Sequence, residues 1–162
     1  MKKTAVIIAA ALSWAISCKE TNKENPAEVK TTVETIDHEN HSTMSPELND
    51  TWVNDIILNN GIKWPANKET TDGVREMLTL IKDIKTTTTD DYKKLGVALN
   101  NVKNTVVKEC TMEGASHDNL HVWLHPLIEK IELLQKVENA EKGEQLTSNI
   151  KMHLEGYYDY FN

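Results

Sequence analysis

Cysteine is almost missing from this chain: two residues in 162, too few for a disulfide-stapled scaffold. Aromatic residues are scarce too, at 6% with a single phenylalanine. Mean hydropathy is −0.51, which excludes a protein that crosses a membrane many times. Positive charge is in deficit, with 18 basic residues against 25 acidic ones and a formal charge of −7. That balance argues against nucleic-acid binding, where a basic footprint is expected. Catalytic signatures are absent as well: there is no serine elbow, glycine-rich phosphate loop, HExxH or CxxC. No enzyme is expected. What remains, 39% apolar and 27% charged, suits one soluble domain with tails.

The N-terminus carries an address. Met1-Lys2-Lys3 is a positive start, and Thr4 to Ile16 is almost wholly apolar, too short for a transmembrane helix. Small residues follow, then Cys18. Ala15-Ile16-Ser17-Cys18 resembles the lipobox of bacterial lipoproteins, although Ala15 stands where leucine is usual and Ile16 is larger than usual. The resemblance implies that residues 1–17 are a signal peptide and that Cys18 becomes an acylated N-terminus. The protein would then be held to a bacterial membrane in the cell envelope. Lys19, in place of aspartate, favours the outer membrane where one exists.

Removing residues 1–17 takes two lysines and no acids, so 16 basic residues face 25 acidic ones, a net −9. Cys110 is then the one free thiol, and in an oxidising compartment it needs a reason: inert burial, ligation or redox work. Residues 18–47 read as a flexible tether too polar to fold. Within it, His38, His41 and Met44 make a loose metal-catching sequence, or incidental histidines of a solvated linker. Residues 48–66 read as a hairpin or cap. Asn59-Asn60-Gly61 between apolar runs is a hairpin signal, since both central residues tolerate positive φ. Pro65 bars continuation.

Residues 67–162 carry helical spacing throughout. Val74, Met77, Leu78, Ile81 and Ile84 recur at three and four residues, the helix period. Thr86 to Thr89 breaks the pattern and offers caps, with Asp90 and Asp91 in the following first turn. Tyr92, Leu95, Leu99, Val102 and Val106 mark a second helix. Gly114 marks a turn and Ser116 a candidate N-cap. Leu120, Leu124, Leu127, Ile131 and Leu134 mark a third helix, and Gly143 separates a fourth with Leu146, Ile150, Leu154, Tyr157 and Phe161. The expected fold is all-α: an up-down-up-down four-helix bundle with a small N-terminal β-hairpin.

Chemistry concentrates between helices two and three. Three of six histidines, one of five methionines and the free thiol fall between Cys110 and His125. Thiolate, thioether and imidazole together suit a soft ion, Cu(I) first and Zn(II) second. Cys110, Met112, His117 and His121 are the expected ligands. On a helical wheel His117, His121 and His125 lie about 60°, 100° and 140° from the apolar centre, drifting outward. His125 is therefore a further donor candidate, beside Pro126, which should kink the helix by freeing the carbonyl of Val122. The bland alternative is a polar helix start with no ligand.

His153, on helix four near the apolar boundary, is either a boundary residue or a donor reaching across the bundle. With Met77 at a similar height, it resembles the methionine–histidine haem ligation of four-helix b-type cytochromes, a third reading. Cys110 with His117 could form a thiol–imidazole pair, but no oxyanion pocket accompanies it. Tyr157, Tyr158, Tyr160 and Phe161 read as a lock for the last helix or, with Trp52 and Trp64, as a patch for an envelope protein partner. As a whole the mature part resembles small helical-bundle envelope lipoproteins associated with heavy-metal handling, on the strength of the Cys-x-Met turn and spaced histidines. Two classes stay open: a lipid-anchored protein that binds or buffers copper, and a lipid-anchored interaction module whose histidines are incidental.

Overall fold

A computed structural model describes residues 50–162 of the chain. Cys18, His38, His41 and Met44, with the whole of the expected signal peptide and tether, lie outside the described residues. Those described are all-helical: a single 3₁₀ turn at Thr51–Asn54, then α1 (Lys68–Asp83), α2 (Thr89–Glu109), α3 (Gly114–Gln135) and α4 (Ala140–Tyr160). Among them there is no strand, only two isolated bridges.

Local chemistry starts and stops these elements. α2 opens on a capping box: Thr88 Oγ1 accepts from the Asp91 N–H, and the Asp91 carboxylate accepts from the Thr88 N–H. The Thr88 hydroxyl, with the Thr88 and Thr87 N–H groups, donates to the Asp91 carboxylate and holds that carboxyl down to about 2. α4 opens on Asn139, whose side-chain oxygen accepts from the Lys142 N–H at 2.8 Å. The fourth helix thus begins before Gly143 rather than after it. Gly143 is interior because its bare backbone lies against Tyr92: an added Cβ would come within 2.4 Å of the ring. Ser116 likewise is not an N-cap. It lies inside α3 and donates to the Glu113 carbonyl, while Gly114, at φ +59°, makes the turn into the helix. α3 runs through Pro126 as one element.

The pairings show how the helices lie. Asn67, ahead of α1, donates to the carbonyl of Glu109 at the end of α2. Gly96 near the start of α2 lies on the backbone of Leu134 and Gln135 at the end of α3. Trp123 of α3 stands edge-on to Tyr157 of α4, and Thr71 of α1 meets the Tyr157 hydroxyl at 3.0 Å. Val74, Met77, Leu95, Leu99, Leu127, Ile131, Ile150 and Leu154 fill the shared interior, each fully buried.

Residues 50–66 share that interior. Trp52 and Ile56 are buried in the same core as the helices. Of the expected hairpin, the described residues hold the turn and one bridge. Asn60 (φ 52°) and Gly61 (φ 84°) turn the chain, and Asn59 and Ile62 exchange backbone hydrogen bonds at 2.9 and 3.0 Å. Trp64 then bridges in parallel to Phe161, its N–H donating to the Tyr160 carbonyl at 2.7 Å. The segment is thereby stitched to the end of α4. Tyr157 and Phe161 are core residues stacked at 4.9 Å, and Trp52 faces inward against Tyr160 at 5.7 Å, so these rings pack within the chain.

Candidate functional site

The turn between α2 and α3 places Cys110. α2 ends at Glu109, residues 110 and 113 are extended, and Gly114 reverses the chain into α3. Cys110 Sγ consequently lies 3.7 Å from His117 Nδ1, in the first turn of α3. Cys110 and Met112 are both part-buried against the core edge.

From there the imidazoles climb the helix one turn at a time. The rings of His117 and His121 are 4.4 Å apart, those of His121 and His125 5.1 Å apart. His121 Nδ1 and His125 Nε2 approach to 3.2 Å. His117 is part-buried, whereas His121 and His125 are exposed, the outward drift expected of i, i+4, i+8 positions. Loss of hydration beside its neighbours, and then the proximity of His117 and His125, push the His121 imidazole below its ordinary range. At neutral pH it therefore presents a lone pair.

These separations can be weighed against bond lengths. With metal–nitrogen bonds of about 2.0–2.1 Å and a metal–sulfur bond of about 2.3 Å, two tetrahedral ligands lie about 3.3 Å apart for N,N and about 3.6 Å for S,N. Cys110–His117 at 3.7 Å and His121–His125 at 3.2 Å both match such an edge. The donors are arranged in pairs. Among the described residues no group of three or more His, Cys, Asp or Glu is gathered around one point that an ion could occupy.

The outer pair borders an open groove of about 400 Å³ between the 3₁₀ turn and α3, where Asp55 and Asp118 join His121 and His125. Asp118 pulls the His121 imidazole upward, against the stronger lowering influences.

His153 stands apart from this row. It is 1% exposed, Nδ1 lies 3.0 Å from Lys130 Nζ, and Nε2 lies 2.8 Å from the Trp123 carbonyl. A carbonyl can only accept and an ammonium can only donate, so the ring is neutral with its proton on Nε2. Met77 is fully buried in the core, so a haem held by these two residues would displace contacts that both already make.

Lys130 is the functional-group placement that helical spacing did not bring out. It is 2% exposed on α3, paired with Asp50 and His153. Asp50 also accepts from Trp52 Nε1 at 3.3 Å and Asn149 Nδ2 at 3.5 Å. The signal was present: Lys130 stands three residues after Leu127 and four before Leu134, on the apolar stripe. Burial and Lys130 together hold the His153 imidazole down, to about 4.

Among the described residues no helix is long and apolar enough to cross a membrane. No protein-family model matches the chain, no curated protein matches it, and no solved structure matches it.

Proposed function

We propose that this chain is a lipid-anchored cell-envelope protein that binds or buffers a soft metal ion, Cu(I) before Zn(II), at the turn between α2 and α3. The observation that carries the reading is the separation of Cys110 Sγ from His117 Nδ1, 3.7 Å, an S,N edge of one coordination sphere. His121, one turn along, would be the third ligand and Met112 a weak fourth, both drawn in only when an ion arrives, since the donors stand in pairs without one. Thiolate, thioether and imidazole favour monovalent copper over harder ions. His38, His41 and Met44 on the tether would catch ions and pass them inward. The N-terminal charge, apolar stretch and Cys18 support acylation and a membrane-bound location. Short connections and the end-to-start pairings support an up-down-up-down bundle as the frame that holds the turn. No catalytic role is assigned.

A second reading is favoured by one specific feature: Val53, Ile57, Leu58 and Ile62 expose 45, 62, 38 and 66% of their surface within ten residues. Such a cluster suits docking to another envelope protein, with the histidines incidental.

Cu(I) titration under reducing conditions separates the two. Wild type should bind at least ~100-fold more tightly than a Cys110→Ser, His117→Ala, His121→Ala variant. Affinity should fall on acidification, because binding requires the thiolate and neutral imidazoles. Equal binding by the two chains would leave only a polar helix start, and the docking reading would stand.

A further inference from the structure

We infer that His121 and His125 form a second ion site, selective for a borderline divalent cation, Zn(II) or Cu(II). The site shares only the His121 imidazole with the proposed thiol site, so one ion at a time uses that ring. It requires neither Cys110 nor Met112 and so goes beyond the soft-ion reading.

Three observations converge on it. The two nitrogens, His121 Nδ1 and His125 Nε2, are 3.2 Å apart. With bonds of about 2.05 Å, that separation subtends about 100° at a shared ion, between the cis angle of square-planar Cu(II) and the tetrahedral angle of Zn(II). Both rings project from consecutive turns of one continuous helix, so the helix holds their spacing before any ion arrives. The pair opens on a groove that also carries Asp55 and Asp118. Those carboxylates give the groove negative potential, and water can fill the remaining positions.

The chemistry is undemanding. At 3.2 Å the two nitrogens share one N–H proton. Ligation needs that proton moved to the other nitrogen of its own ring, a change of tautomer with no net proton lost. Imidazole with oxygen ligands suits Zn(II) and Cu(II), whereas Cu(I) would go to the sulfur. The groove is open to solvent, so ions would exchange rapidly here. The part-buried Cys110–His117 pair would hold its ion longer.

The test uses the full-length chain carrying Cys18→Ser, Cys110→Ser, His38→Ala and His41→Ala, which removes both thiols and the tether histidines. Zn(II) is titrated by calorimetry, and Cu(II) by electron paramagnetic resonance. One equivalent of each should bind, with nitrogen hyperfine structure from two imidazoles on Cu(II). Adding His125→Ala should weaken Zn(II) binding ~10-fold or more and leave one imidazole on Cu(II). His125→Gln should do the same, and since both rings are exposed on the helix surface neither change disturbs the fold. Unaltered affinity in the His125 variants, or no binding by the parent chain, overturns the proposal. Failure of the soft-ion reading looks different: it appears as wild-type Cu(I) affinity equal to that of the Cys110 variants, whatever Zn(II) does.

Discussion

Acidification from pH 7 to 4 should destabilise this protein through His153 among other groups, and the His153 share of the loss can be worked from its surroundings. The imidazole is 1% exposed, wedged between Trp52 at 4.7 Å and Trp123 at 5.6 Å, with Lys130 Nζ on Nδ1. Burial and that ammonium lower its pKa to about 4, against 6.5 in the unfolded chain. Above pH 6.5 neither state binds the proton, and the His153 contribution to stability is complete. Between 6.5 and 4 the unfolded chain takes up the proton first, so stability falls as pH falls; below 4 both states are charged and the loss levels off. Integrating over that window gives a loss of about 2 kcal/mol by pH 5 and about 3 kcal/mol by pH 4. Urea unfolding at pH 7, 5 and 4 measures it, for wild type and for His153→Gln. Glutamine offers an amide donor for the Trp123 carbonyl and does not titrate. Every other titrating group is common to both chains, so the difference between their slopes isolates His153. Parallel slopes would refute the reasoning and mean that the buried ring takes its proton as readily as a free one.

Gly96→Ala should destabilise the fold by about 1–2 kcal/mol, because the new Cβ meets Gln135 N at 2.8 Å and Leu134 C at 3.1 Å, immovable backbone that outweighs the gain in helix propensity. A thermal melt unchanged or raised would show that α2 and α3 can part there freely. In Thr88→Ala the Asp91 carboxyl, now held to about 2 chiefly by Thr88, should move back toward the ordinary aspartate range, read by NMR titration; an unmoved value would assign the lowering elsewhere. Cys18→Ala should release the protein from membranes or leave it unprocessed, and fatty-acid label that persists in that variant would sink the lipid assignment. A chain starting at Asn67 should melt below one starting at Pro46, since it lacks buried Trp52 and Ile56 and the Asp50 partner of Lys130; equal melting would make the 50–66 segment an ornament.

Four helices follow from the sequence alone, because their cause is local. Three- and four-residue spacing of Val74 and Met77, or Leu127, Ile131 and Leu134, specifies a face within a single element. Thr88 and Asp91 start α2 by bonds that span three residues. Asn60-Gly61 makes its turn for the same reason. The proximity of Cys110 to His117 is nearly local as well, requiring only a glycine turn and one helical turn. What tertiary structure decided are the positions where local signals conflict with distant partners. Gly143 reads as a break but serves as a landing for Tyr92 from another helix. The apolar run after Trp52 reads as strand, yet its partners are helices, and Trp52 turns in a 3₁₀ turn to cover His153. Lys130 falls on the apolar stripe by spacing, but spacing does not say what meets its charge. It is interior because Asp50, 80 residues earlier, and His153, 23 later, meet its charge there. Periodicity records which face of a helix points inward; it carries no information about which distant residue will be waiting there to take a hydrogen bond.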